Sequence, residues 1–112
     1  MNLDERLQGL LGQGHDGAPL RVSLALACLG RGDPANAIVH LERALALDPD
    51  YSAAWKTYGR ALLTDARDEE ARAAWERGIA AARAAGDRQS EREMQVFLRR
   101  LDPLDRQQKE PT

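Results

Sequence analysis

The chain has 112 residues, room for one domain, and is 43% hydrophobic and 30% charged. Its 16 Lys and Arg against 18 Asp and Glu leave a net charge of -2, so the basic excess that phosphate binding draws on is missing and nucleic acid is not the expected partner. A single cysteine, Cys28, excludes an intramolecular disulfide, and no run approaches the roughly 20 apolar residues of a membrane span.

Aromatics make up only 4% of the chain, whereas Ala, Leu, Arg, Glu and Gln dominate, all strong helix formers. An all-α fold follows. From the start, Asp4 and Glu5 stand where a signal peptide would be basic and no long apolar core comes after them, so a cytoplasmic protein is expected. Leu3, Leu7, Leu10 and Leu11 form one stripe, predicting a short helix over 3–11 that Gly12, Gly14 and Gly17 then break. Helices are expected next at 19–31 and 34–47, divided by Gly32 and by Asp33-Pro34, an N-cap followed by a proline at the first helical position. Asp48-Pro49-Asp50 is expected to end one helix and cap the next, over 51–64. Asp68, Glu69 and Glu70 then bring negative charge to a helix start at 68–84, where the dipole favours it. Gly86-Asp87 stops that helix, and Ser90 with Glu93 offers a capping box for a last one. There Met94, Phe97, Leu98 and Leu101 recur at helical spacing, with Arg92, Arg99 and Arg100 on other faces. From Pro103 onward the segment is polar, and a disordered tail is expected over 103–112.

The chain repeats itself with a shift of 34 positions. Ala27/Ala61, Leu29/Leu63, Ala37/Ala71, Glu42/Glu76, Arg43/Arg77 and Ala46/Ala80 are identical pairs at that spacing. The residue types matter more than the identities. Small residues at Ala25/Gly59, Ala37/Ala71 and Ala44/Gly78 let antiparallel helices approach, and bulky ones at Leu24/Tyr58 and Leu41/Trp75 fill the space beside them. The second copy reads Trp55, Tyr58, Gly59, Leu62, then Ala71 and Trp75; the first reads Leu24, Ala25, Cys28, then Ala37, Leu41 and Pro49. This resembles the tetratricopeptide-repeat (TPR) pattern of W-x2-L-G-x2-Y, A-x3-F and a closing Pro, over about residues 18–85. The stretch 51–56, Gly86-Asp87 and the run 93–98 are similar to small bacterial members of that family. Arg21 departs from the pattern's Trp, Arg83 from its Pro, and Ala66 from the turn glycine that Gly32 supplies.

The resemblance implies helix pairs stacked as a short right-handed superhelix within one domain, 1–102. Residues 1–17 would be a leading helix and loop, 18–51 and 52–85 the two repeats, and 86–102 a capping helix. It also implies a concave face lined by the first helix of each pair and suited to a peptide. Matching positions put Val22, Leu26 and Leu29 beside Lys56, Arg60 and Leu63. Lys56 and Arg60 share a helical face, and no acidic residue lies between Tyr51 and Thr64 to pair with them. Either both are simply solvated or paired with a carboxylate from a neighbouring helix, or they serve an acidic peptide or a C-terminal carboxylate held in the groove. Val22 and Leu26 leave the family's terminal-carboxylate clamp at best partial.

Trp55, Trp75 and Cys28 sit at packing positions and are expected in the core. His15 and His40 belong to no spaced Cys/His cluster, so no metal is expected, and no phosphate loop or nucleophile elbow is present. The reading is a peptide-binding or protein-binding module with no cofactor and no catalysis. The alternative is a self-associating module, using the leucine stripe at 3–11 or the last helix to form a homodimer.

Overall fold

The computed structural model describes residues 2–109, with side chains through Asp102. Among these residues there are helices and no strands: α1 (Leu3–Gly12), α2 (Ala18–Gly30), α3 (Pro34–Leu47), α4 (Ser52–Thr64), α5 (Asp68–Ala85) and α6 (Arg88–Lys109). Connections this short turn each helix back on the one before it, so α2/α3 and α4/α5 form antiparallel hairpins. The second hairpin stacks on the first through α4. At the two ends, α1 lies on α2, and α6 lies on α5 and α4. The fold is an all-α helical repeat.

Local chemistry explains most of the boundaries. Asp33 caps α3 by accepting the Asn36 backbone N–H at 3.2 Å, ahead of Pro34. Asp68, Glu69 and Glu70 occupy the first turn of α5. Two caps are set differently from the sequence expectation. Asp50 does not cap α4, whose N-cap is Tyr51 with no side-chain bond. Nor does Ser90 open α6: Asp87 accepts the Ser90 backbone N–H at 3.1 Å and the Ser52 hydroxyl at 2.7 Å. A helix start shared with α4 is fixed by tertiary contact, which a local motif does not reveal. At its far end the α6 backbone stays helical to Lys109, through Pro103 and beyond the 102 boundary of the sequence reading.

The core follows the alternation of small and large residues. Ala25, Ala37, Leu41, Ala44 and Ala71 have no exposed surface, and Trp75 has almost none. A Cβ at Gly59 would overlap the Trp75 indole. A Cβ at Gly78 would lie 2.6 Å from Trp55 Cβ and 2.5 Å from Met94 Sδ. These approaches are available only to glycine. Buried indoles still need their N–H groups satisfied, and Trp55 Nε1 donates to Pro49 O at 2.8 Å while Trp75 Nε1 donates to Lys56 O at 3.1 Å. Cys28 is buried as expected, and that burial raises its thiol pKa.

The departures from the family pattern are accommodated individually. Arg21 donates to Asp16 at 2.8 Å and meets His40 Nδ1 at 3.0 Å, tying the loop after α1 to α3. Ala66 holds the left-handed turn at φ 61°, as Gly32 does at φ 74°. Without a proline at Arg83, α5 continues to Ala85.

Candidate functional site

The three helices α2, α4 and α6 make up one side of the stack, with α4 between the other two. On α2, Leu26 is 45% exposed and Leu29 is half-buried against the core. Val22, expected in the groove, is only 8% exposed and belongs to the core cluster. On α4, Leu63 remains 39% exposed and Arg60 faces solvent.

Lys56 and Arg60 have different surroundings despite their shared face. Lys56 Nζ bonds Glu93 Oε2 on α6 at 3.0 Å. The Lys56 ammonium, helped by Gln89, holds the Glu93 carboxyl below its usual range, so Glu93 is ionised at neutral pH. The neighbouring-helix carboxylate is therefore the counter-charge of Lys56. Arg60 has no ion-pair partner among the described residues. One turn further along, the cleft between α4 and α6 opens into a cavity of about 270 Å³ lined by Arg60, Leu63, Thr64, Trp75, Phe97, Arg100 and Leu101.

That cavity has an apolar floor and a basic rim. Phe97 tilts against Trp75 with ring centroids 5.1 Å apart, and Leu101 is nearly fully buried. Arg100 is exposed and, like Arg60, lacks an ion-pair partner among the described residues. Sequence reasoning had placed Phe97 and Leu101 on the packing stripe and Arg100 on another face. It did not bring Arg100 to Arg60, because that meeting depends on how α6 sits against α4. The usable signal was the helix order, since α4 and α6 both follow a return turn and so run in the same direction.

No group of three or more His, Cys, Asp or Glu among the described residues could hold a metal ion, and no described helix is long and apolar enough to cross a membrane. His40 stays close to Arg21, and its imidazole pKa is lowered by burial and by that guanidinium.

Stacked two-helix units define a helical-repeat scaffold. The chain belongs to the tetratricopeptide repeat family, whose model matches residues 29–89. It is 46% identical over 98 residues to a TPR repeat-containing protein of Pseudomonas aeruginosa, covering 88% of this chain and 93% of that protein. It also resembles the solution structure of a protein from Bordetella parapertussis, with 43% identity and a TM-score of 0.83 over 94% of this chain and 91% of that one. Membership associates the chain with protein–protein interaction in general.

Proposed function

We propose that this protein is a binding module that holds a segment of another polypeptide in the groove formed by α2, α4 and α6. The observation that carries this reading is the pair of exposed leucines, Leu26 and Leu63, on the side where the first helices of both repeats lie. Apolar side chains left open along a rigid concave surface lose water when a peptide covers them, which supplies affinity without rearrangement of the scaffold. In this reading residues 1–102 act as one domain, with 18–51 and 52–85 as the repeats and 86–102 as the cap. Val22 supports the groove from beneath and Lys56 closes one end of it with Glu93. Leu26, Leu29, Arg60 and Leu63 remain available to a ligand. The module works by binding alone, in the cytoplasm, where a buried thiol such as Cys28 needs no partner.

The test is site-specific photocrosslinking in the native host, with the reactive group placed at Leu26, at Leu63, or at Val39. Val39 is 58% exposed on α3, one of the second helices, and serves as the control. A shared adduct from positions 26 and 63 that is absent from position 39 is the expected result. Equal labelling at all three positions, or none at any, removes the groove from consideration.

A second reading has its own observation. Leu3 and Leu10 of α1 are 59% and 41% exposed while Leu7 is buried, so half of the leading stripe lacks cover. A second copy of the chain would supply that cover. Sedimentation at several concentrations distinguishes the two readings: a dimer that Leu3→Ser/Leu10→Ser dissociates favours self-association through α1, and a concentration-independent monomer rules it out.

A further inference from the structure

We propose that the cleft between α4 and α6 is the anchor site of the groove, and that it takes one apolar side chain from a partner peptide with an acidic residue beside it. This rests on the groove reading above and specifies the ligand's chemistry. The cavity's 270 Å³ falls below the roughly 300–1,000 Å³ of sites for drug-sized molecules, which suits a single leucine or phenylalanine side chain better than a cofactor. Its floor of Leu63, Trp75, Phe97 and Leu101 has no charge to satisfy. Both charged groups, Arg60 and Arg100, sit at its rim. Each guanidinium is exposed and without a partner among the described residues, so the cleft carries two positive charges. Lys56 adds nothing to this field because Glu93 neutralises it. The basic end of the groove is therefore confined to this cleft, while Leu26 and Leu29 leave the α2 end apolar. Carboxylates flanking an apolar anchor would reach the two arginines, and guanidinium forks match carboxylates in geometry.

The probe is the blocked peptide acetyl-Gly-Glu-Leu-Glu-Gly-amide, titrated into the full-length protein and followed by NMR. Blocking both ends separates side-chain carboxylates from a free C-terminus, and the unblocked acid is run as a second arm. Trp75 lines the cleft and Trp55 does not, so the two indole N–H signals act as internal reporter and control. The expected result is a saturable shift of the Trp75 signal with the Trp55 signal unmoved, weakening as salt is added. Affinity should fall about fivefold for each of Arg60→Gln and Arg100→Gln. The shift should vanish when the peptide's Leu becomes Gly, and weaken when both Glu become Gln. Both arginines are exposed, so the variants keep the wild-type thermal midpoint.

A peptide that shifts Leu26 and Leu29 without moving Trp75, or that binds the arginine variants equally well, overturns the anchor and leaves the groove reading intact. Binding only by the unblocked acid also overturns it, in favour of a terminal-carboxylate site. The absence of any shift up to about 5 mM peptide overturns the anchor too, and the photocrosslinking result then decides the groove separately.

Discussion

Two side chains show how single residues shape this fold. Ala66 stands in the left-handed region at φ 61°, where its first-repeat counterpart is Gly32. A left-handed backbone costs an L-residue about 1–2 kcal/mol, and the extra freedom of glycine in the unfolded chain returns about 0.4–1 kcal/mol of that. Ala66→Gly should therefore stabilise the protein by about 0.5–1 kcal/mol, seen as a higher urea midpoint at unchanged slope; a lower midpoint would show that the turn is unstrained. His40 controls a pH dependence instead. Arg21 donates to its Nδ1 at 3.0 Å, which leaves the ring's own proton on Nε2 and opposes a second one. Burial and the nearby Arg21 and Arg31 lower its pKa from 6.5, against the weaker opposing pull of Asp4 and Asp16. The unfolded chain then takes up the proton first as pH drops. The stability tied to the neutral ring is complete above 6.5 and is lost as pH falls below 6.5 towards the lowered folded value. Between pH 7 and 5 the wild-type urea midpoint should decline, and His40→Asn should flatten that part of the profile. Parallel profiles for the two proteins would exclude His40 as the cause.

Between elements, the decisive contacts are those where one helix lacks a side chain. Gly59 brings α4 against the face of Trp75 on α5, and Gly78 brings α5 against Trp55 and Met94. Gly59→Ala should cost about 3 kcal/mol, since backbone and indole must separate to admit one methyl. Gly9 in α1 is the matched control, because a Cβ there meets nothing within 4 Å. Gly9→Ala should gain about 0.5–1 kcal/mol from helix propensity alone. Thermal melts of the two variants should move in opposite directions, and a neutral Gly59→Ala would mean the helix pair is looser than its geometry. This pairing of small with large was legible in the sequence because it recurs at a fixed spacing. Asp33-Pro34 was legible too, because a cap and a proline act within one turn. What local patterns did not convey was how one helix sits on another. Asp87 starts α6 while holding Ser52 of α4, and a Ser90 capping box mimics that start in sequence alone. For the same reason Lys56 and Arg60 looked alike at four-residue spacing. Their surroundings are set by the register of α6 on α4, which gives Glu93 to one and Arg100's cleft to the other.

At the scale of the molecule, the stack is longer than a sphere of its length. Its radius of gyration is 14.9 Å, with extents of 54 × 31 × 20 Å, against about 13 Å expected for a compact chain of this size. Elongation follows from nearest-neighbour packing, in which α1, α2 and α3 touch nothing beyond α4 among the described residues. Such a chain is either one cooperative unit or two units that melt apart. One contiguous core cluster runs from Ala18 to Leu101 through Leu41, Trp55 and Trp75, which favours a single unit. Met94 tests this because it is wholly buried at the far end, with its sulfur against Gly78. Met94→Ala should cost about 2–4 kcal/mol by opening a cavity under α6. If the repeats are coupled, that loss reaches the first repeat, where Cys28 is buried and becomes reactive only on opening. The urea midpoint for Cys28 labelling should then drop together with that for tryptophan fluorescence, since both tryptophans lie in the second repeat. A fluorescence midpoint that drops while Cys28 protection holds would instead mean that α4 joins two independently folding hairpins, and that a ligand bridging α2 and α6 would have to order the groove as it binds.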